Sequence, residues 1–484
     1  VAILYLAIIG LLFLFGIYHF YIVYLAIRFD RQPVESLEIS DWPAVTVQLP
    51  IYNELYVAER LIRAAARLDY PRDRLEIQVL DDSDDETRAA AESTANELAA
   101  DGFQVRYIHR DVRSGYKAGA LSQGLKVATG EFLAIFDADF IPPVDFLRRT
   151  LPRFTGPEIA FVQARWGHLN RDYSLLTFMQ ALTLDSHFVI EQYARSQAGY
   201  WFNFNGTAGI WRREAIEDAG GWRSETLTED LDLSYRAFLR GWQAKYLRDV
   251  VVPAELPVTF GAYRRQHNRW ARGGFECARN LVPAIWRTET SLSQKIHATV
   301  HLTRNCVYLL LLALALVYPL ALGISLEYPG LIGLFGLGLL FNLTAFAPTT
   351  YFLLAQKKIG TFSIRNLPKI MFTSVLGAGL MIATTWAAIQ AFFGKNPVFD
   401  RTPKFGIQSK KDGWVRKSYQ LKLDRIVVVE IGFAAFLVAV AASAIRLGNL
   451  VITLYSLYFA LGLSLNAFMT IDNYVSARRG ARKH

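Results

Sequence analysis

Cysteine is almost missing from this chain: 484 residues carry only two, Cys277 and Cys306. They make no CxxC pair and no Cys/His cluster, which excludes a disulfide framework and a cysteine-based zinc site; both thiols are expected reduced and packed. Internal repeats and low-complexity tracts are also absent, so no repeat architecture is expected. No single basic stripe exists either. The positive excess, +9 overall, flanks apolar runs, which argues against nucleic acid as a partner and for membrane lipids. What the chain does have is apolar surface: 52% hydrophobic and 13% aromatic residues, against 20% charged. That is too apolar for an ordinary soluble protein and too charged for a pure membrane bundle. Composition therefore predicts a soluble domain joined to several membrane helices.

Residues 1–27 form an apolar run long enough to span a bilayer, ended by Arg28, Asp30 and Arg31. The run lacks the short core and small-residue cleavage site of a signal peptide. The first residue is Val1, and a few residues before it are expected. Residues 28–298 read as α/β, with short apolar runs alternating with charged helical stretches. Strand candidates are Val45–Leu49, Ile77–Leu80, Val105–Ile108 and Phe132–Phe136; helix candidates include Leu55–Arg67 and Glu86–Ala100. Residues 299–484 carry long apolar runs at 305–325, 330–355, 368–393, 425–446 and 449–471. The loop 357–369 holds Lys357, Lys358, Arg365 and Lys369. The loop 394–425 is denser, with Lys395, Lys410, Lys411, Arg416 and Lys417 among its cations. Both should be cytoplasmic, so 368–393 is expected to be interfacial or re-entrant. About five crossings follow, with the N-terminus outside. The soluble domain and the tail, Arg478, Arg479, Arg482 and Lys483, then lie inside. Six crossings would put the most basic loop or the tail on the wrong side.

Chemistry-bearing residues cluster at predicted element ends. Ile77–Leu80 runs into Asp81 and Asp82, and Phe132–Phe136 runs into Asp137, Ala138 and Asp139. Open α/β sheets bind ligands at such strand ends. Two carboxylates one residue apart suit Mg²⁺ or Mn²⁺ together with phosphate oxygens; for the first pair a solvated turn or helix cap is the alternative. Around Lys117, the stretch SGYKAGA sets an ammonium among glycines before a helical stretch, where it and backbone amides can meet a diphosphate. It is not a Walker A motif, and a plain loop-to-helix junction is the competing reading. Thr228-Glu229-Asp230 precedes the amphipathic helix Leu231–Arg240. Capping by Thr228, with Asp230 and Asp232 as dipole partners, competes there with a catalytic role. Gln266, Arg269 and Trp270 combine an amide, a fixed cation and an indole. They suit phosphate and sugar, or a membrane-interface anchor. His267 and Asn268 are given no role. A metal pair, a proton acceptor and further cations are what sugar transfer from a nucleoside diphosphate requires.

The order LDDS (80–83), DAD (137–139), TED (228–230) and QHNRW (266–270), followed by membrane helices, resembles the family-2 inverting glycosyltransferases of the cellulose synthase superfamily. The resemblance covers nearly the whole chain. GYKAGAL (115–121), VQARWGHLN (162–170), FNFNGTAGIWRR (202–213) and TLTEDLDLSYRA (226–237) look like the cellulose synthase-like A and C branches, which make β-1,4-mannan, glucomannan and glucan. FDRTPKFG (399–406) resembles the gating-loop position of cellulose synthases, although the usual pattern there is nearer FxVTxK. No cyclic-nucleotide domain is expected after the last helix.

The resemblance implies a GT-A-type, Rossmann-like mixed-sheet domain in the cytoplasm and an α-helical transmembrane bundle. By position it implies Asp230 as general base, beside Glu229. Asp81 and Asp82 would serve the nucleotide and Lys117 the diphosphate, with Asp137 and Asp139 on the metal. Gln266, Arg269 and Trp270 would flank the diphosphate and acceptor, and Asn205, Gly206 and Thr207 would line the acceptor site. The implied activity is polymerisation of sugar from UDP-glucose or GDP-mannose into a β-linked polysaccharide that is passed across the membrane. The implied location is the bacterial inner or plasma membrane. A glycolipid synthase using ceramide or a similar lipid is the alternative enzyme. A transporter is disfavoured because no apolar run carries charges suited to ion coupling, and a non-catalytic scaffold because every motif position is filled.

Overall fold

The computed structural model describes residues 1–30, 41–328, 343–394 and 399–481. Arg31, Lys395, Arg482, Lys483 and the first part of the run at 330–355 lie outside the described residues.

A seven-stranded mixed sheet organises the soluble part. Its strands are β1 (Val45–Ile51), β2 (Leu75–Asp81), β3 (Gln104–His109), β4 (Phe132–Ile135), β5 (Ile159–His168), β6 (Gly209–Arg212) and β7 (Gln243–Ala254), in the order β3-β2-β1-β4-β6-β5-β7. β1 to β4 pair parallel, β6 runs antiparallel to β4 and β5, and β7 is parallel to β5. The four sequence-predicted strands and both predicted helices fall on observed elements, the helices as Ala58–Ala66 and Thr87–Ala100.

Alternation along β1 explains its place at the centre. Val45, Val47, Leu49 and Ile51 enter one apolar core with the helices at 58–66 and 87–100. Thr46 and Gln48 face the other side and are buried, so their polar atoms need partners. Thr46 Oγ1 donates to Glu76 at 2.8 Å and Gln48 Nε2 to Gln78 at 3.0 Å. A second core, around Leu133, Ile135, Phe161 and Trp211, fills the opposite face. Cys277 and Cys306 are free, as expected.

Four described helices are long and apolar enough to cross a membrane: Ala2–Arg28, Cys306–Glu327, Ile426–Arg446 and Leu450–Gly480. The protein is a membrane protein. A fifth candidate is the pair Ile364–Ala378 and Met381–Phe393, which bends by 40° at its break, as a broken span or a re-entrant segment does. The described end of the run at 330–355 is the helix Ala347–Lys358. Glu430, buried inside a span, is neutralised: Arg264 Nη2 reaches its two oxygens at 3.0 and 2.8 Å.

Helix Phe260–Arg287 joins the two parts. Its Gly273 lies against Thr228, and a Cβ there would stand 2.5 Å from Thr228 Oγ1 and 2.8 Å from its amide nitrogen. Backbone cannot yield as a flexible side-chain tip does, so Gly273→Ala should displace the segment carrying Glu229 and Asp230. We expect turnover to fall by at least about tenfold and stability by about 1–3 kcal/mol. Thermal unfolding beside initial-rate assays checks this; unchanged values for both would show that the two elements can separate freely.

Candidate active site

The carboxyl ends of β1, β2 and β4 open onto one cleft. It is lined by Asp82, Lys117, Asp137, Asp139, Asn205, Gly206, Glu229, Asp230, Gln266, Arg269 and Trp270. These side chains come from segments as much as 188 residues apart in number, Asp82 to Trp270. Parallel strands bring their carboxyl ends to one edge, which is why acids written after separate strands meet.

Lys117 stands at the centre. It sits in the first turn of the helix Tyr116–Val127, entered through Gly115 in the left-handed region at φ 69°. Its Nζ lies 2.5 Å from Asp137 Oδ1, donates to the Gly206 carbonyl at 2.8 Å and is 3.8 Å from Glu229. Gly206 adopts φ +79°, and a Cβ there would come within 3.2 Å of Asp230 Oδ2 and 3.3 Å of Lys117 Nζ. Glycine thus permits both the turn and the approach. Burial by itself would pull the Lys117 ammonium down; Asp137 and Glu229 outweigh it and hold the pKa above the ordinary lysine value. Burial raises Glu229, against the pull of Lys117. Burial, then the charge of Glu229, pushes Asp230 up to about 7.

Arg269 and Trp270 project from the helix Phe260–Arg287. Arg269 Nη1 donates to the Asp400 carbonyl at 3.1 Å, and its guanidinium lies 4.5 Å from the centre of the Phe399 ring. The segment 399–404 folds over the cleft, with Phe399, Arg401, Thr402 and Lys404 in its wall. Lys404 is buried and holds Asp139 Oδ2 at 2.7 Å.

Two sequence-predicted site residues do not reach the cleft. Asp81 is fully buried: its carboxylate accepts from the Ser83 amide at 3.0 Å and the Tyr107 hydroxyl at 2.7 Å. Consecutive residues at a strand end point to opposite faces, so Asp81 and Asp82 cannot both line the site. Asp82 does line it, held by Arg110 at 2.7 and 2.5 Å. Thr207 lies beneath the surface, its Oγ1 accepting from the Asp137 amide at 2.9 Å. Thr228 precedes the helix Glu229–Leu239, yet its hydroxyl makes no cap; it faces Cys277 Sγ at 3.5 Å.

Sequence reasoning missed Glu54. It lies three residues beyond the end of β1 and lines the cleft with Asp137 and Asp139. Burial pushes it up to about 7, with Arg401 pulling the other way. The strand-end rule applied to β1 would have found it. Also missed was the support of Asn205. A π-helical turn, Ser186–Gln192, brings Gln192 Nε2 to Asn205 Oδ1 at 2.6 Å and His187 Nε2 to its Nδ2 at 3.2 Å. His187 Nδ1 lies 2.9 Å from Glu191. In a consistent network Nδ1–H donates to Glu191 and bare Nε2 accepts from Asn205, so the neutral ring fixes the amide's orientation. A π turn has no clear signature in composition, so this layer was not legible.

A cleft at the carboxyl edge of such a mixed sheet, acids and cations facing inside, defines a GT-A glycosyltransferase. Residues 43–273 match the family model "Glycosyltransferase like family 2". The chain is 37% identical over 434 residues to glucomannan 4-beta-mannosyltransferase 1 of Oryza sativa subsp. japonica, covering 85% of this chain and 80% of that protein. It is 44% identical over 311 residues to glucomannan 4-beta-mannosyltransferase 2 of Arabidopsis thaliana, covering 60% of this chain and 58% of that one. The chain thus spans little more than half the length of that Arabidopsis relative, and 52% of a second, glucomannan 4-beta-mannosyltransferase 9. Among solved structures, the mannosyltransferase PcManGT from Pyrobaculum calidifontis, in complex with GDP-Man and Mn²⁺, has the same fold. The TM-score is 0.56 at 22% identity, over 81% of this chain and 99% of that one. The chain belongs to the family-2 glycosyltransferases, in their cellulose synthase-like mannan synthase branch. These curated relatives are plant proteins, and they give the expected bacterial membrane no support.

Proposed function

We propose that the protein transfers mannosyl or glucosyl units from GDP-mannose or UDP-glucose to a growing β-1,4-linked polysaccharide and passes the chain through its membrane bundle. In this reading residues 1–27 are the leading span, 28–298 the cytoplasmic transferase and 299–484 the bundle. The observation that carries it is the meeting of Asp230, Lys117, Asp137, Asp139 and Arg269 in one cleft against the membrane-proximal helix Phe260–Arg287. The relatives' names favour mannose.

The donor set suits a divalent cation. Lysines engage Oδ1 of Asp137 and Oδ2 of Asp139, which leaves the other oxygen of each for a metal. Mn²⁺ or Mg²⁺ binds through one or two carboxylates and takes its remaining ligands from phosphate and water. Asp137 and Asp139 would hold it, and when bound it would neutralise the diphosphate leaving group. Lys117 and Arg269 would take up the remaining charge, and Asp82 would face the nucleotide. Asp230, with Glu229 beside it, would accept the proton of the attacking hydroxyl, which enters opposite the leaving group and inverts the anomeric centre. Asn205 and Gly206 would line the acceptor, with Trp270 stacked under its terminal sugar.

Nucleotide release by the full chain in nanodiscs tests this. UDP-glucose and GDP-mannose are offered in parallel, with Mn²⁺ and with EDTA. The expected result is release from GDP-mannose that needs metal, with an ethanol-insoluble product digested by a β-mannanase. A chloroform-soluble product would replace the polymer reading by the glycolipid synthase.

A further inference from the structure

A second cavity, of about 770 Å³, lies on the other side of the helix Phe260–Arg287 and of Asp400 from the catalytic cleft and shares no lining residue with it. Three spans meet around it at the ends nearest the transferase domain. Leu312 comes from the start of Cys306–Glu327, Ile426 and Val429 from the start of Ile426–Arg446, and Tyr474 from late in the last helix. The cavity therefore sits at one membrane surface, at headgroup level.

Its wall has two characters. One side is cationic: Arg264, Arg265, Lys422 and Arg425, against the carboxylates of Asp400 and Asp424. Arg264 is committed to Glu430 and to Asp424 at 3.5 Å. Arg265, Lys422 and Arg425 have no carboxylate within ion-pair distance among the described residues. The other side is apolar and open outward. Trp386, Ile389 and Val429 are exposed, at 52%, 44% and 56%, on faces turned away from the protein. Uncommitted cations beside outward-facing apolar side chains match a ligand with an anionic head and hydrocarbon tails. They match a neutral sugar chain poorly. The growing acceptor is also on another side: at 100° per residue, Arg264, Arg265 and Asn268 stand roughly 140° around the helix from Gln266, Arg269 and Trp270.

We propose that this cavity binds one anionic phospholipid from the surrounding leaflet. Its phosphate meets Arg265, Lys422 and Arg425, and its acyl chains leave past Trp386, Ile389 and Val429. The volume lies within the range of built small-molecule sites.

Native mass spectrometry of the delipidated full chain tests this, with phosphatidylglycerol and phosphatidylcholine titrated separately. One phosphatidylglycerol should be retained in preference to phosphatidylcholine, and inorganic phosphate should not displace it. Arg265→Gln, Lys422→Gln and Arg425→Gln together should weaken phosphatidylglycerol roughly a hundredfold, at about a decade or less per charge, and leave phosphatidylcholine unchanged. Lys422→Arg with Arg425→Lys, which keeps the charge, should bind as the unaltered protein does. Equal retention of the two lipids, displacement by phosphate, a sugar-oligomer mass in place of the lipid, or a triple variant that still prefers phosphatidylglycerol would overturn the proposal. The comparison of lipids on the unaltered protein decides the matter even if the triple variant does not fold. The readout is a bound mass and not turnover, so it stands or falls apart from the proposed reaction.

Discussion

Asp230→Asn is expected to lower turnover by roughly 10²–10⁴-fold, the range for loss of a positioned general base, while donor binding stays close to that of the unaltered protein. The amide has nearly the shape of the carboxylate and cannot accept the hydroxyl proton. Folding should be spared, because Asp230 is half-buried beside Glu229 and its charge is already disfavoured there. The direction with pH follows from the same burial. With its pKa pushed up to about 7 before metal and donor bind, Asp230 is protonated and idle in acid. kcat/KM should therefore rise as pH climbs through the neutral range and level off above it, and the rise should be missing in Asp230→Asn. Donor binding by calorimetry, beside initial rates across pH, checks both parts. A variant that keeps near-normal turnover, or keeps the same pH rise, would remove Asp230 from the role of base.

Lys117→Met is the second large effect, and it acts on stability as well as rate. The ammonium is the positive centre among Asp137, Glu229 and Asp230, and its side chain is only 15% exposed. Methionine fills similar space and leaves the carboxylates facing one another unpaired. Removing one partner from a buried charge cluster costs about 3–5 kcal/mol. The sign with pH is fixed: without the cation, the pKa values of Asp137 and Glu229 rise further. Below those values the acids take up protons, the repulsion disappears and the penalty shrinks. The gap in unfolding temperature between Lys117→Met and the unaltered protein should be wide above neutrality and narrow in mild acid. Turnover should fall by at least about a hundredfold at every pH, since a cation facing the leaving group is lost. An unfolding gap that does not change with pH would mean that Lys117 acts by packing alone.

Much of the fold was legible because its signals are local. Short apolar runs between charged helical stretches gave β1 to β4, and long apolar runs gave the membrane helices. The contributions to the cleft were legible only as motifs, since nothing in DAD or TED states that the two meet. Two misplacements have one cause. Asp81 and Thr207 were assigned by neighbourhood in sequence, and both side chains point into the protein, Asp81 beside an Asp82 that faces the cleft. Glu54 was missed because its strand was read two residues short, to Leu49 instead of Ile51. The pairing of Lys404 with Asp139 joins residues 265 apart in number, and no spacing rule reaches that far.

The sequence by itself determined the class of architecture, the order of the chemical motifs and the two-part character of the chain, because hydrophobic period and run length are properties of neighbours. Tertiary structure alone decided which acids share the cleft, that Lys117 neutralises them, that a π turn sets Asn205, and that Arg265, Lys422 and Arg425 gather round one cavity. Those facts depend on which strand lies beside which and which face each side chain takes, and both are fixed only when distant segments pack against one another.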